Sequence, residues 1–197
     1  MEGLIFGAFG RPIEGELVSG DAYRIRNMEH GRLIALADGL GHGAAAAEAS
    51  QKALSIIDRY VIGHESEVDL MDLLRLCHAG LVGTRGAVMG LCHLNLKDRI
   101  WSSLVVGNIT LRVLSHRRLN PIPGGGIVGY KLPKVVHIAE WPYCEGDIFI
   151  SHTDGVKEDY GMDSLARDQG LSVEQAAERI IEKYGAKTDD ATVIVGR

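Results

Sequence analysis

The chain has only three cysteines in 197 residues, Cys77, Cys92 and Cys144, an odd number without any C-x-x-C spacing. That argues against a disulfide framework and against the usual zinc and redox motifs, and it predicts buried free thiols in a reducing, cytoplasmic setting. Long apolar runs are missing too, so no membrane span is expected. The N-terminus has Glu2 ahead of a short Leu4 to Phe9 run and lacks the basic start of a secretory signal. There is no excess of positive charge: 21 Lys and Arg stand against 26 Asp and Glu, a formal net charge of -5. Such a chain has no field for nucleic acid or an anionic membrane, so neither is expected as a partner. Repeats and low-complexity tracts are absent, and Asn120-Pro-Ile-Pro-Gly-Gly-Gly126 punctuates a domain rather than separating two. With 46% hydrophobic residues, residues 1–197 can bury one good core, which predicts one domain.

The apolar pattern divides strands from helices. Leu4 to Phe9, Glu16 to Met28 and Arg32 to Ala37 read as strands. From Ala44 the period changes, with Ala47, Ser50, Leu54, Ile57 and Val61 at helical spacing. Val68, Met71, Leu74 and Leu81, together with Leu70, Leu73 and Cys77, suggest a second helix. Ala87 to Leu96, Ile100 to Val106, Ile109 to Leu114, Val135 to Ala139 and Asp147 to Ser151 are short, apolar and separated by turn residues. A helix from Val173 to Tyr184 carries a capping-box pattern at Ser172 and Gln175, and Ala191 to Val195 is a last strand. Strands grouped apart from helices indicate an α+β layered domain with antiparallel pairing rather than a doubly wound sheet.

The stretch Ala37-Asp-Gly-Leu-Gly-His-Gly-Ala44 joins the third strand to the first helix. It admits three readings: phosphate cradle, metal site or plain turn. Gly39, Gly41 and Ala44 satisfy the G-x-G-x-x-A fingerprint of a dinucleotide-binding oxidoreductase, but that fold needs a second strand ending in an acid about 20 residues on. Here the chain around Asp58 still has helical period. The metal reading draws on other acids at strand edges: Ser19-Gly-Asp21, Thr153-Asp-Gly155 and Thr188-Asp-Asp-Ala-Thr192. Each Asp-Gly alone is an ordinary turn. Their joint occurrence beside apolar strands favours a site for hard cations such as Mg²⁺ or Mn²⁺.

In this order and spacing, Ser-Gly-Asp21, Asp-Gly-Leu-Gly-His-Gly43, Thr-Asp-Gly155 and Asp-Asp-Ala-Thr192 resemble the metal-dependent type 2C (PPM) serine/threonine phosphatases. The form is most similar to the bacterial sporulation and stress-response (SpoIIE-like) branch, including its single-domain stressosome phosphatases, and covers almost the whole chain. The resemblance implies a four-layer αββα sandwich of two antiparallel sheets flanked by helices, holding two Mn²⁺ or Mg²⁺ ions. Asp38 matches the acid bridging both ions and Gly39 the residue lending a backbone carbonyl. Asp154 and Asp189 match the acids completing the other ion, and Asp21 one that acts largely through water. Asp190 stands where relatives often carry Asn and is expected to support these ligands, although either carboxylate of the pair could bind. A metal-activated water would attack phosphorus, and the leaving serine oxygen would need a proton. His42 is the nearest donor by sequence, or equally a solvated neighbour of the ligands; His152 reads as a strand residue.

The implied role is to dephosphorylate a phosphorylated STAS-domain scaffold or antagonist protein of a stressosome, resetting a bacterial stress response. A catalytically weak module that binds a phosphoprotein is the alternative. Three departures from the wider family stand out. Glu16-Leu-Val-Ser-Gly20 occupies the place of a phosphate-binding arginine, Asn108 that of an Asp, and the stretch after Asn108 is short for a large substrate flap. Neither a third metal nor broad peptide recognition is therefore expected. Arg11, Arg24, Arg26, Arg117 and Arg118 could contact phosphate, but a solvated surface is the default for each.

Overall fold

A computed structural model describes residues 4–159 and 161–197. The strands are β1 (Phe6–Arg11), β2 (Asp21–Met28), β3 (Gly31–Gly39), β4 (Ala87–Asn95), β5 (Ile100–Val106), β6 (Thr110–Leu114), β7 (Arg118–Leu119), β8 (Ala139–Pro142), β9 (Ile148–His152) and β10 (Ala191–Gly196). The helices are α1 (Ala44–Gly63), α2 (Leu70–Leu81), α3 (Gly161–Arg167) and α4 (Val173–Tyr184). Two five-stranded sheets form, in the orders β1-β10-β9-β6-β7 and β2-β3-β4-β5-β8, with antiparallel pairing between neighbouring strands.

Three apolar clusters explain the layering. Along β3, Leu33, Ala35 and Ala37 pack with Leu54, Ile57, Leu73 and Leu74 of α1 and α2, whereas Ile34 and Leu36 turn to the other face and meet Phe149 and Ile194 of the opposite sheet. Strand side chains alternate across the sheet, so a strand covered on both faces must read as a near-continuous apolar run. The third cluster lies between the first sheet and α3 and α4, with Ile150 and Val193 against Met162, Ala177 and Ile180. The order is therefore helices, sheet, sheet, helices, the expected α+β sandwich.

Local signals predicted the best elements. Helix α4 has the expected bounds and a complete capping box, Ser172 accepting from Gln175 N–H while the Gln175 side chain accepts from Ser172 N–H. Cys77 and Cys92 are buried free thiols, as expected, and Cys144 is free and half-buried. Burial pushes the Cys77 thiol up to about 12, which keeps it protonated and unreactive. No helix among the described residues is long and apolar enough to cross a membrane.

Two expectations need correction, and one helix was not expected at all. The strand expected from Glu16 starts only at Asp21, because Ile13 N–H and Gly20 N–H both donate to the Asp190 carboxylate, at 2.8 Å each, and the chain between them forms a loop. The strand expected over Val135 to Ala139 starts at Ala139 instead and continues to Pro142, with Val135 and Ile138 exposed. Helix α3, unanticipated, is seven residues long, too short for a helical period to stand out, and buries only Met162 and Ala166.

Candidate metal centre and active site

The four acidic motifs meet where the two sheets come together at one end. In the second sheet, Asp21 lies directly opposite Asp38 in the β2–β3 register. In the first, β9 and β10 are paired, so Thr153-Asp154 after β9 and Asp189-Asp190 before β10 share an edge. Two close approaches explain the glycines that follow Asp38 and Asp154. A Cβ on Gly39 would lie 2.0 Å from the Ala46 carbonyl oxygen of α1, and one on Gly155 would lie 1.8 Å from the Asp190 carbonyl oxygen. Both positions exclude any larger residue, since no side chain tolerates such contacts with backbone.

Thr153, fully buried, ties the sheets together. Its hydroxyl accepts from Thr192 N–H at 3.0 Å and donates to Asp21 Oδ2 at 2.8 Å. One oxygen thus fixes an acid of the second sheet against a backbone group of the first. Asn108 plays a similar part in the β5–β6 turn, its amide donating to Asp154 Oδ2 at 2.5 Å. Neither partnership was visible in sequence, where Thr153 was only a flank of Asp154 and Asn108 only a departure from relatives.

Asp38, Asp154, Asp189, His42 and Asn108 line one open cavity of about 520 Å³. Asp21 does not line it. It borders a separate space with Ser19, Gln51 and Thr192, and its Oδ1 is buried without a hydrogen-bond partner among the described residues. Asp190 is also outside the cavity lining, with one oxygen accepting from Ile13 N–H and the other from Gly20 N–H. Its neighbour Asp189 accepts from Asp190 N–H at 2.9 Å and keeps its place on the cavity wall.

Electrostatics mark this region as short of positive charge. Asp38 is pushed up to about 8, first by burial and then by the charges of Asp21, Asp154, Asp189 and Asp190. Asp21 rises to about 7 through burial, opposed by hydroxyl bonds from Thr153 and Thr192 and reinforced by Asp190 and Asp189. Asp154 is raised as well, by burial and then by Asp189. Like charges held this close while partly removed from water favour protons or cations. Among the described residues no three His, Cys, Asp or Glu side chains close a ready-made ligand cage. The acids instead surround an open space, and carboxylate oxygens with room for water are the donors hard divalent cations take. The mutually repelling acids that line it, Asp38, Asp154 and Asp189, fit such a cation.

The remaining sequence candidates fall into place around the cavity. His42 is exposed at its rim, with Nδ1 3.0 Å from Glu16 Oε1. Glu16, missed in sequence, is 26 residues away in the chain. His152 is a buried residue of β9, as expected, with Nδ1 bonded to the Thr153 carbonyl and a pKa lowered by burial. None of the five arginines named above lines the cavity. Arg24 and Arg26 share Asp58, Arg11 donates to the Ala186 carbonyl, and Arg118 pairs with Asp163. Asp58 therefore sits inside α1 holding two arginines, with no strand end to present it to a ribose, and the dinucleotide reading loses its scaffold.

The chain matches the family model of stage II sporulation protein E (SpoIIE) over residues 29–197. It is 28% identical over 187 residues to the phosphoserine phosphatase RsbX of Bacillus subtilis (strain 168), covering 93% of this chain and 89% of that protein. Its structure is similar, at TM-score 0.93, 36% identity and full coverage of both chains, to a chain from a structure of the bacterial stressosome, a modular system adapted to control secondary messenger signalling. RsbX in complex with magnesium is similar at TM-score 0.85 and 25% identity, over 100% of this chain and 96% of that one. With its acids at the sheet ends of a helix-flanked double sheet and a family match that spans most of its length, this chain belongs to the SpoIIE family of PP2C phosphatase domains.

Proposed function

We propose that this protein is a metal-dependent serine/threonine protein phosphatase acting on a phosphoprotein of the stressosome pathway, with residues 1–197 working as one cytoplasmic domain. The observation that carries the reading is the single open cavity onto which Asp38, Asp154 and Asp189 converge from three separate motifs. Two Mn²⁺ or Mg²⁺ ions, when bound, would supply a water made nucleophilic near neutral pH and would offset the phosphate charge.

The chain's own residues hold and order that site. Asp38, Asp154 and Asp189, with the Gly39 carbonyl, would hold the ions. Asn108 occupies one Asp154 oxygen and so fixes the plane in which the other is offered. Thr153 holds Asp21 outside the cavity lining, from where it would act through water. Asp190 spends both oxygens on backbone N–H groups and serves the architecture of the 13–20 loop rather than a metal. His42 stands at the rim, where a leaving seryl oxygen would need a proton.

The substrate in this reading is a phosphorylated STAS-domain scaffold or antagonist protein, docked as a folded partner. Support comes from the likeness to RsbX and to a stressosome chain, and from the openness of the cavity to a phosphorylated residue on a protein surface. The test is hydrolysis of an aryl phosphate with and without added Mn²⁺ or Mg²⁺; full activity after exhaustive chelation refutes the mechanism. Comparing a folded phosphorylated STAS domain with a peptide copied from it tests the partner. Equal catalytic efficiency on both would leave a general phosphatase without a dedicated partner.

A further inference from the structure

Glu16 lies in the segment where sequence comparison offered only a missing arginine, yet the structure builds a support for it. Asp190 grips the two ends of the loop, Ile13 N–H and Gly20 N–H, each at 2.8 Å. Between them Glu14 N–H donates to the Lys187 carbonyl at 3.2 Å, and Glu16 N–H donates to the Ile13 carbonyl at 3.1 Å, closing a turn. This turn delivers the Glu16 carboxylate to His42 Nδ1 at 3.0 Å. On the other side, His42 sits between Gly41 and Gly43, both at positive φ, 84° and 75°. The imidazole is thus presented by a left-handed loop on one side and held by a carboxylate on the other, at the rim of the cavity that Asp38, Asp154 and Asp189 line.

We propose that Glu16 is a positioning residue that holds His42 as the proton donor to the leaving seryl or threonyl oxygen, with Asp190 fixing the loop that carries Glu16. This rests on the phosphatase reading above. A carboxylate accepting from Nδ1–H orients the ring and leaves Nε2 free for the substrate. As the bond from phosphorus to the seryl oxygen breaks, that oxygen takes the Nε2 proton. Phosphorus gains a water oxygen whose proton goes to solvent, and His42 is reprotonated from water. The fourth acidic motif therefore serves catalysis twice: Asp189 at the cavity wall, and Asp190 through the loop that aims Glu16.

The test exploits leaving-group chemistry, because a nitrophenolate departs without a proton while a serine alkoxide does not. On a phosphoserine peptide with saturating Mn²⁺, His42→Gln should lower kcat by about 100-fold and Glu16→Gln by about 10-fold, with KM little changed. On p-nitrophenyl phosphate both losses should be at least tenfold smaller. Adding Glu16→Gln to His42→Gln should cost nothing further, since the two act as a unit. Both side chains are exposed, so thermal midpoints should match the unaltered protein. Equal losses on the two substrates, or full additivity in the double variant, would overturn the inference while leaving the phosphatase reading intact. Absence of metal-dependent hydrolysis of either substrate by the unaltered protein would overturn both.

Discussion

Replacing Asp38 by Asn should stabilise the metal-free protein while removing its metal-dependent activity. The folded state raises the Asp38 carboxyl from 3.8 to about 8, through burial and the charges of Asp21, Asp154, Asp189 and Asp190. At ~1.4 kcal/mol per factor of ten in acidity, that displacement sets a ceiling of ~6 kcal/mol on the cost of ionised Asp38 in the fold. The cavity is open, and screening by water and salt reduces the cost to ~2–3 kcal/mol. Because the folded state keeps a proton that the unfolded chain releases, this penalty is absent below about pH 4 and grows as pH rises towards about 8. The amide has nearly the same volume and no charge. In chelator at about pH 8.5, Asp38→Asn should therefore melt ~4–12 °C higher than the unaltered protein, at ~2–4 °C per kcal/mol for a chain of this size. At about pH 4.5 the difference should shrink to ~1–2 °C. Mg²⁺ at about 1,000 times its Kd should reverse the order, since it adds ~4.1 kcal/mol to the protein that binds it, more than the ~2–3 kcal/mol penalty. Thermal unfolding followed by circular dichroism reads all three. A variant less stable than its parent in chelator at high pH, or a gap independent of pH, would refute the electrostatic account of the site.

Thr153→Val keeps the shape but takes one hydroxyl donor from buried Asp21 and strands Thr192 N–H; denaturant unfolding should show a loss of ~2–4 kcal/mol, and a loss under ~0.5 kcal/mol would deny Thr153 its bridging role. Asp189→Asn should weaken metal binding by calorimetry far more than Asp190→Asn, because only Asp189 lines the cavity; the reverse order would show that the ligand is the second acid of the pair. Asp190→Ala should instead speed hydrogen exchange at the Ile13 and Gly20 amides, whose acceptor it removes, and unchanged protection would disprove the clamp. Gly155→Ala sets a Cβ 1.8 Å from the Asp190 carbonyl oxygen and should cost ~2–4 kcal/mol by the same unfolding assay; a neutral effect would mean the two loops are not packed as described.

The fold class was legible in the sequence because helices and strands bury different periodicities, and both periods are local. Val173, Ala176, Ala177, Ile180 and Ile181 make one buried stripe that only a helix can bring to one side, and Ser172 with Gln175 marks its start within four residues. The apolar runs of β3 and β4 likewise announced strands covered on both faces. The acids Asp38, Asp154 and Asp189 were legible as well, because each abuts such a strand and strand ends are where a sandwich gathers its loops. What no local pattern holds is a partnership across the chain. Asp190 captures the Gly20 amide from 170 residues away and so shortens β2, Thr153 reaches Asp21 across 132 residues, and Asn108 reaches Asp154 across 46. Periodicity records which face of an element meets the core, since that follows from 3.6 or 2 residues per repeat. Which carboxylate accepts which amide depends on how two sheets are stacked. Sequence alone therefore determined the layers and the acids that edge them, while only the packed structure decided which oxygens face the cavity and which are spent holding the walls.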